Sequence, residues 1–438
     1  MVEFAGELTD RDLHRHIVHA FEVPPLVTGI SVQYAYGPRQ VGKYTNLVTL
    51  SLYDPQGCRG NAHRGVASET IRVAETEASF GFTHGKIPAG HWALYLHTHM
   101  VLPGEPVRYT IHITFETKGQ ETPQTQSIPM RGAGWYRGNL HSHTLHSDGH
   151  WLATDLVAWA HSEGMDFITL TDHNTVSGLA EMDSMSSRAM LTMGGIELTT
   201  FFGHAVILGT REWIEWRTES PSGTMPPIQQ QVEANGGLFI IAHPKAPGGA
   251  ICTGCAWEYT DMMPGTAKMV EVWNSEWDSD SNNEQALALW YEWLNQGHHL
   301  VATAGHDIHN APSKPLRYGC SVIFAAALTE AALLDGLKLG HVYLSGGPQI
   351  EFIGRTAQGE TAMMGDVLDA HSVTVHWNAC NDDEQIRLMV NGRLHEAMPA
   401  NTAGQYTWRL PPAWQWALIE VRDAEGYLTA VTNPIYRQ

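Results

Sequence analysis

Basic residues are scarce. Lys and Arg total 26 against 46 Asp and Glu in 438 residues, a formal charge of −20. A field of that sign repels phosphate backbones and anionic headgroups, which excludes a long nucleic acid or an anionic membrane as the expected partner. Cysteine is scarcer still. Five in the whole chain is no disulfide scaffold, and an odd number leaves at least one thiol unpaired. Cys252 and Cys255 form C-T-G-C, but no second CxxC accompanies them to build a zinc knuckle, so they are expected to be ordinary loop cysteines. No apolar run approaches the roughly 18 residues of a membrane span. The opening M-V-E-F-A-G-E-L-T-D-R-D-L-H-R-H lacks the basic start and apolar run of a secretory leader, so a cytoplasmic location is expected. Histidine is the residue in excess: 25, almost as many as Lys and Arg together. It is the commonest metal ligand and titrates near neutral pH, so the excess asks for a reason.

With 43% apolar and 16% charged residues the chain is globular, and its length suits two to four domains of roughly 100–200 residues. Residues 1–133 alternate apolar and polar side chains over 29–36, 46–53, 91–96 and 107–115. Turns such as Asp54-Pro55-Gln56-Gly57 and Pro103-Gly104-Glu105-Pro106 separate these runs, which predicts a β-sandwich-like module. Residues 118–134 read as a linker. From 134 to 348 strand and helix patterns alternate. Predicted strands cover 138–143, 167–170, 196–200, 205–208, 238–242, 269–273 and 299–304. Predicted helices cover 154–163, 227–235, 283–296 and 329–339. Repeated β-then-α units predict a parallel, barrel-like α/β module. After Pro348 alternating strands return at 372–377, 385–390, 417–422 and 428–431, a second sandwich-like module over 349–438.

The polar residues of the middle module fall at the ends of its predicted strands. His141 and His143 close the first, two apart and so on one face, with Asp148 in the next loop. The second runs into Thr171-Asp172-His173-Asn174, the third carries Glu197, the fourth starts at His204 and the fifth ends at His243. The last gives Gly305-His306-Asp307-Ile308-His309, a second pair two apart. The C-terminal ends of the strands are where α/β barrels do chemistry. Burying unpaired imidazoles and carboxylates there for packing alone would cost several kcal/mol. Six His and three carboxylates exceed what one tetrahedral zinc takes, and suit two or three divalent cations.

The ordered set H-x-H-x4-D, T-D-H-N, G-I-E, G-H, A-H-P and D-x-H resembles the motifs of the polymerase-and-histidinol-phosphatase (PHP) metallohydrolases over about residues 135–350. V-E-V-W-N (270–274) and G-H-V-Y-L-S-G-G-P (340–348) look most similar to the CehA/McbA-type branch. The resemblance implies a distorted (β/α)7 barrel flanked by β-sandwich-like domains, with two to three Zn, Mn or Fe ions. It implies His141, His143, Glu197 and Asp307 around a first ion, and Asp148, His173 and His309 around a second. Glu197, His204 and His243 would surround a third, with Glu197 bridging. His306 departs from the small residue common before the Asp.

The function so implied is hydrolysis of a small molecule, a phosphate ester first, by hydroxide bridging two cations. Hydrolysis of a carbamate, carboxylic ester or amide is the alternative, since the same ligands serve both. A catalytically inert PHP module is the third reading. Lys245, His306 and Arg317 are the candidates for a general acid or phosphate contact, and Trp257, Trp273 and Trp277 for an aromatic rim. His97-Thr98-His99 and His14-Arg15-His16 lack a spaced Asp and are read as histidines of one β face. The two β modules are free to cap the barrel, to form a homo-oligomer or to bind a polymer.

Overall fold

The computed structural model describes residues 1–117, 131–313 and 317–438. Most of the linker expected at 118–134 lies outside the described residues. The N-terminal part holds two four-stranded antiparallel sheets. One orders Val2–Leu8, Val107–Glu116, Gly29–Gly37 and Ser68–Ala74; the other orders His16–Val23, Gly90–Met100, Leu47–Asp54 and Gly57–Ala62. Period-two alternation turns Ile30, Val32, Leu50, Leu52, Leu94, Leu96, Ile111 and Ile113 into one shared apolar core.

The middle part is built on one mixed sheet. Its strands run Val301–Gly305, Met269–Asn274, Leu238–Ile241, His204–Leu208, Leu191–Thr199, Phe167–Leu170, Gly134–Asn139, Cys320–Ala325 and Val342–Ser345. The expected parallel pairing holds for Gly134–Asn139 with Phe167–Leu170, Phe167–Leu170 with Leu191–Thr199, and Met269–Asn274 with its two parallel neighbours. It fails at Leu191–Thr199 and His204–Leu208, which pair antiparallel, as does His204–Leu208 with Leu238–Ile241. The reason is length: residues 200–203 are too few for a crossover, which needs a dozen or more, and only a hairpin fits. Cys320–Ala325 likewise joins antiparallel.

Among the described residues the strand Val301–Gly305 has one ladder partner. Side chains satisfy its other edge. Ala302 N donates to Asn433 Oδ1 at 2.8 Å, Asn433 Nδ2 donates to Ala302 O at 3.0 Å, and Ala304 N donates to Ser321 Oγ at 2.9 Å. An edge that would otherwise expose bare backbone groups is thus closed without a ladder.

The same sheet continues into the C-terminal part, because Val342–Ser345 pairs with Leu428–Thr432, followed by Trp416–Arg422, Gln385–Val390 and Arg393–Pro399. A separate four-stranded sheet, Thr361–Met363, Gln349–Arg355, Ser372–Asn378 and Gly404–Arg409, packs Phe352, Val373, Val375 and Trp408 against Ile386, Leu388, Ile419 and Val421. Of the helices, Asn283–Asn295 buries the most, through Leu287, Trp290, Trp293 and Leu294, on the three-to-four spacing of its apolar stripe. Among the described residues no helix is long and apolar enough to cross a membrane.

Candidate metal centre

The first strand ends at Asn139, so His141 and His143 lie beyond it rather than within it. Extended geometry nevertheless persists. His143 N donates to Ile308 O at 3.0 Å and Asp307 N donates to His141 O at 2.9 Å, so the two spaced pairs run side by side. Asn139 ties them further: its Oδ1 accepts from His141 N at 3.1 Å and His306 N at 2.8 Å. Gly305 is needed at this crossing, because a Cβ there would lie 2.4 Å from His141 Cβ and 2.3 Å from Glu271 Oε1. His243 and Asp307 hold left-handed backbones, φ 23° and 49°, a strained conformation that non-glycine residues keep mainly at functional sites.

All nine of the residues picked out by the motifs converge. His141 Nε2 stands 3.2 Å from Glu197 Oε2 and 3.5 Å from Asp307 Oδ1. His143 Nε2 stands 3.3 and 3.0 Å from the same two oxygens. Four donors around a cation at 2.0–2.1 Å in a tetrahedron stand about 3.3 Å apart. A second group holds Asp148, His173 and His309, with Asp148 Oδ1 at 3.4 Å from His173 Nε2 and 3.2 Å from His309 Nε2; His143 belongs to it as well as to the first. A third joins His173, Glu197 and His204. His243 reaches that third group through Nε2, 3.1 Å from Glu197 Oε1. Glu197 therefore faces both ways: Oε2 toward His141 and His143, Oε1 toward His204 and His243.

The donor set fits divalent cations on two counts. The first is that His141 Nε2, His143 Nε2 and Glu197 Oε2 are buried without a hydrogen-bond partner. Lone pairs left this way cost free energy unless something of opposite charge fills the space between them. The second is the outward nitrogens. His309 Nδ1 donates to Asp307 O at 2.8 Å, His243 Nδ1 to Cys255 O at 3.2 Å and His204 Nε2 to Thr253 O at 3.3 Å. A carbonyl only accepts, so each of these rings spends its outward N–H there and turns its other nitrogen inward, toward the carboxylates. His141 does the same by donating Nδ1–H to Glu271 Oε1 at 3.0 Å. Metal-binding histidines are ordinarily oriented this way.

Electrostatics follow from that crowding. Burial opposes charge on Glu197, yet His141, His173 and His204 hold it well below the usual carboxylate range. Asp307 and Asp148 are likewise held low against burial, by His141 and His143 and by His173 and His309 respectively. His309, which burial would lower, is raised to about 9 by Asp148 and Asp307.

Three groups escaped the sequence. Glu271 orients His141 and also accepts from His243 N at 3.1 Å. Its signal was present: a lone carboxylate among the apolar residues of 269–273. Asp172 shapes the H-x-H-x4-D loop by accepting from Thr144 N and Oγ1 at 2.8 and 2.7 Å. His63, from the N-terminal part, places its ring centroid 4.8 Å from that of His173, and nothing in its local sequence foretold this.

Other expectations change. Cys252 and Cys255 form a disulfide, Cα–Cα 5.5 Å, rather than being free loop cysteines. The turn they close carries the Thr253 and Cys255 carbonyls that hold His204 and His243. Gly254 is required there, at φ 76° and with Thr200 O 2.1 Å from any added Cβ. The cavity at the cluster encloses about 230 Å³. Lys245, His306 and Arg317 are not among the residues that line it. Lys245 is half-buried, its carbonyl accepting from Asn282 Nδ2 at 2.9 Å. Arg317 is exposed and borders another cavity, beside Trp273 and Trp277. His306 is buried with Nε2 3.3 Å from Cys320 Sγ and its ring stacked on Tyr318; burial, then Arg137 and His141, lowers it to about 3. Trp257, Trp273 and Trp277 belong to the apolar core and form no rim to the cluster.

No protein-family model matches the chain, and no curated protein matches it either. Among solved structures it is similar to a two-domain protein from Bacteroides vulgatus containing a predicted PHP-like metal-dependent phosphoesterase. The identity is 17%, covering 72% of this chain and 100% of that one, with a TM-score of 0.40. It is also similar to an amidohydrolase from Chromobacterium violaceum with bound sulfate and no metal. There the identity is 16%, covering 41% of this chain and 89% of that one, with a TM-score of 0.28.

Proposed function

We propose that the chain is a metal-dependent hydrolase of a small molecule, most of all a phosphoesterase. The carrying observation is Glu197, whose two oxygens each face a different set of imidazoles, with Oε2 and the Nε2 atoms of His141 and His143 buried without a partner. In this reading the middle part, 134–348, is a distorted (β/α)7 PHP-type barrel between β-sandwich-like modules, 1–133 and 349–438. Its nine donors hold two to three Zn, Mn or Fe ions. Bound divalent cations supply Lewis acidity, which makes water a nucleophile at neutral pH and stabilises charge developing on the substrate.

The chain's own residues do the rest. Glu271 and the carbonyls of Thr253, Cys255 and Asp307 fix the imidazoles in one tautomer and orientation. The buried carboxylates stay ionised under the imidazoles that face them. The cavity walls limit how much water shares the site. Hydrolysis of a carbamate, carboxylic ester or amide is the second reading, and one observation favours it: among the described residues no Lys or Arg lines the cavity to grip a phosphate dianion.

The test is metal analysis of protein purified without chelator, followed by turnover of an aryl phosphodiester against an aryl methylcarbamate. At least one ion per chain with diester turnover is expected. Carbamate turnover alone replaces the first reading by the second, and less than one ion per chain with neither turnover leaves an inert module.

A further inference from the structure

The cavity has two walls of different origin. One is the donor cluster of the middle part; the other is Thr45, Leu47, His63 and Met100 of the N-terminal sheets. The two parts are tied at this seam. Thr175 Oγ1 donates to Gly81 O at 2.8 Å, Thr253 Oγ1 donates to His99 O at 3.2 Å, and His14 stacks on Phe201 with centroids 5.1 Å apart. His63 sits between His99 and His173, centroids 4.9 and 4.8 Å away, and its Nδ1 is buried without a partner. It is the imidazole of this wall that belongs to none of the three donor groups.

Size and chemistry then limit what fits. An apolar cavity of about 150 Å³ takes one benzene ring. The 230 Å³ here leaves room for the reacting group and a single small ring or alkyl chain beside Leu47 and Met100. Among the described residues no Lys or Arg lines the space.

We propose that the N-terminal part is the substrate-selecting wall of the active site. Leu47 and Met100 contact one small apolar group of an ester that carries at most one negative charge, and His63 donates a hydrogen bond to a polar atom of that ester. The inference rests on the hydrolase reading and extends it to the substrate class: small aryl or alkyl diesters and carbamic or carboxylic esters, not polymers or polyphosphates. Leu47, His63 and Met100 are specificity residues here, with no part in holding metal.

The experiment uses the full chain, metal-loaded, as wild type and as Leu47→Ala, Met100→Ala, His63→Asn and His63→Gln. Each is assayed on phenyl and 1-naphthyl esters of the same methylphosphate and of the same methylcarbamate, with metal content measured in parallel. The wild type should favour phenyl. The two alanine variants should shift the naphthyl-to-phenyl ratio of kcat/KM by about tenfold or more toward naphthyl, at unchanged metal content. His63→Asn should raise KM about tenfold, with part of the loss restored by the longer amide of His63→Gln. A ratio unmoved in both alanine variants overturns the proposal, as does a KM unmoved in His63→Asn. If the wild type turns over neither ester, the hydrolase reading is what has failed. Calorimetric binding of the singly charged monomethyl esters of phenylphosphonate and naphthylphosphonate to the loaded protein then decides on the wall. The alanine variants should shift that affinity ratio in the same direction; an unmoved ratio, or no binding of either probe, overturns it.

Discussion

Two sets of buried histidines in this molecule behave in opposite ways. In the N-terminal sheets His97 and His99 are fully buried among imidazoles, hydroxyls and aromatic rings. His97 Nε2 pairs with Ser51 Oγ at 2.7 Å and His99 Nε2 with Thr49 Oγ1 at 3.0 Å. Burial and like-charged neighbours push both well below their ordinary value. In the middle part His141 and His173 are equally enclosed, yet Asp148, Glu197, Asp307 and Glu271 raise them well above it. The residue type and the burial are the same. For these four the difference is the carboxylates beside His141 and His173.

Removing the carboxylate that serves both clusters should break that contrast most severely. Glu197→Gln is expected to lower kcat/KM by about a thousandfold and to leave less than one ion per chain. Full metal content in this variant would show that the carboxylate is not what distinguishes the two sets. One step outward, Glu271→Ala frees the His141 ring and should weaken metal affinity by about 10- to 100-fold, measured by competition with a chromophoric chelator.

The pH dependence of the metal-free protein sharpens the comparison. The N-terminal histidines are lowered when folded, so their stability is fully present above pH 6.5 and is lost as pH falls below it. His141, His173, His243 and His309 are raised, so their contribution is present below pH 6.5 and is lost as pH rises, through about 9 for His309. Tm against pH should therefore fall on both sides. Saturating divalent metal should lift the alkaline side, and binding near pH 8 should release protons, seen as buffer-dependent calorimetric heats. His97→Gln should cost about 1–3 kcal/mol, lessen the acid loss and leave metal content unchanged. The smallest effects belong to Lys245→Ala and Arg317→Ala, which lie off the cavity and should change kcat/KM by less than about threefold.

Much of this site was legible because its parts repeat a local rule. Strand patterns around residues 167–170, 205–208 and 238–242 placed His173 and His243 at strand ends and His204 at a strand start, and motif spacing located Asp307 and His309. Glu197 was legible too, although it sits inside the strand Leu191–Thr199. Less legible were the features that depend on a distant partner. The antiparallel hairpin follows from a four-residue connection that periodicity does not weigh. The Glu271–His141 bond spans 130 positions in the chain. The His63–His173 contact depends on how two separate sheets dock. The Cys252–Cys255 bond depends on the conformation of a loop with no period at all.

Asn433 has a consequence for how this molecule can be shortened. Its side chain alone meets the backbone of Ala302 from both sides, in the strand that leads directly into His306-Asp307-Ile308-His309. A chain cut after Pro348 would keep every cation donor and still lose the fastening five residues upstream of Asp307. Proteolysis at the C-terminal end is therefore a way to loosen the Asp307–His309 loop from behind, without touching any of the nine clustered side chains.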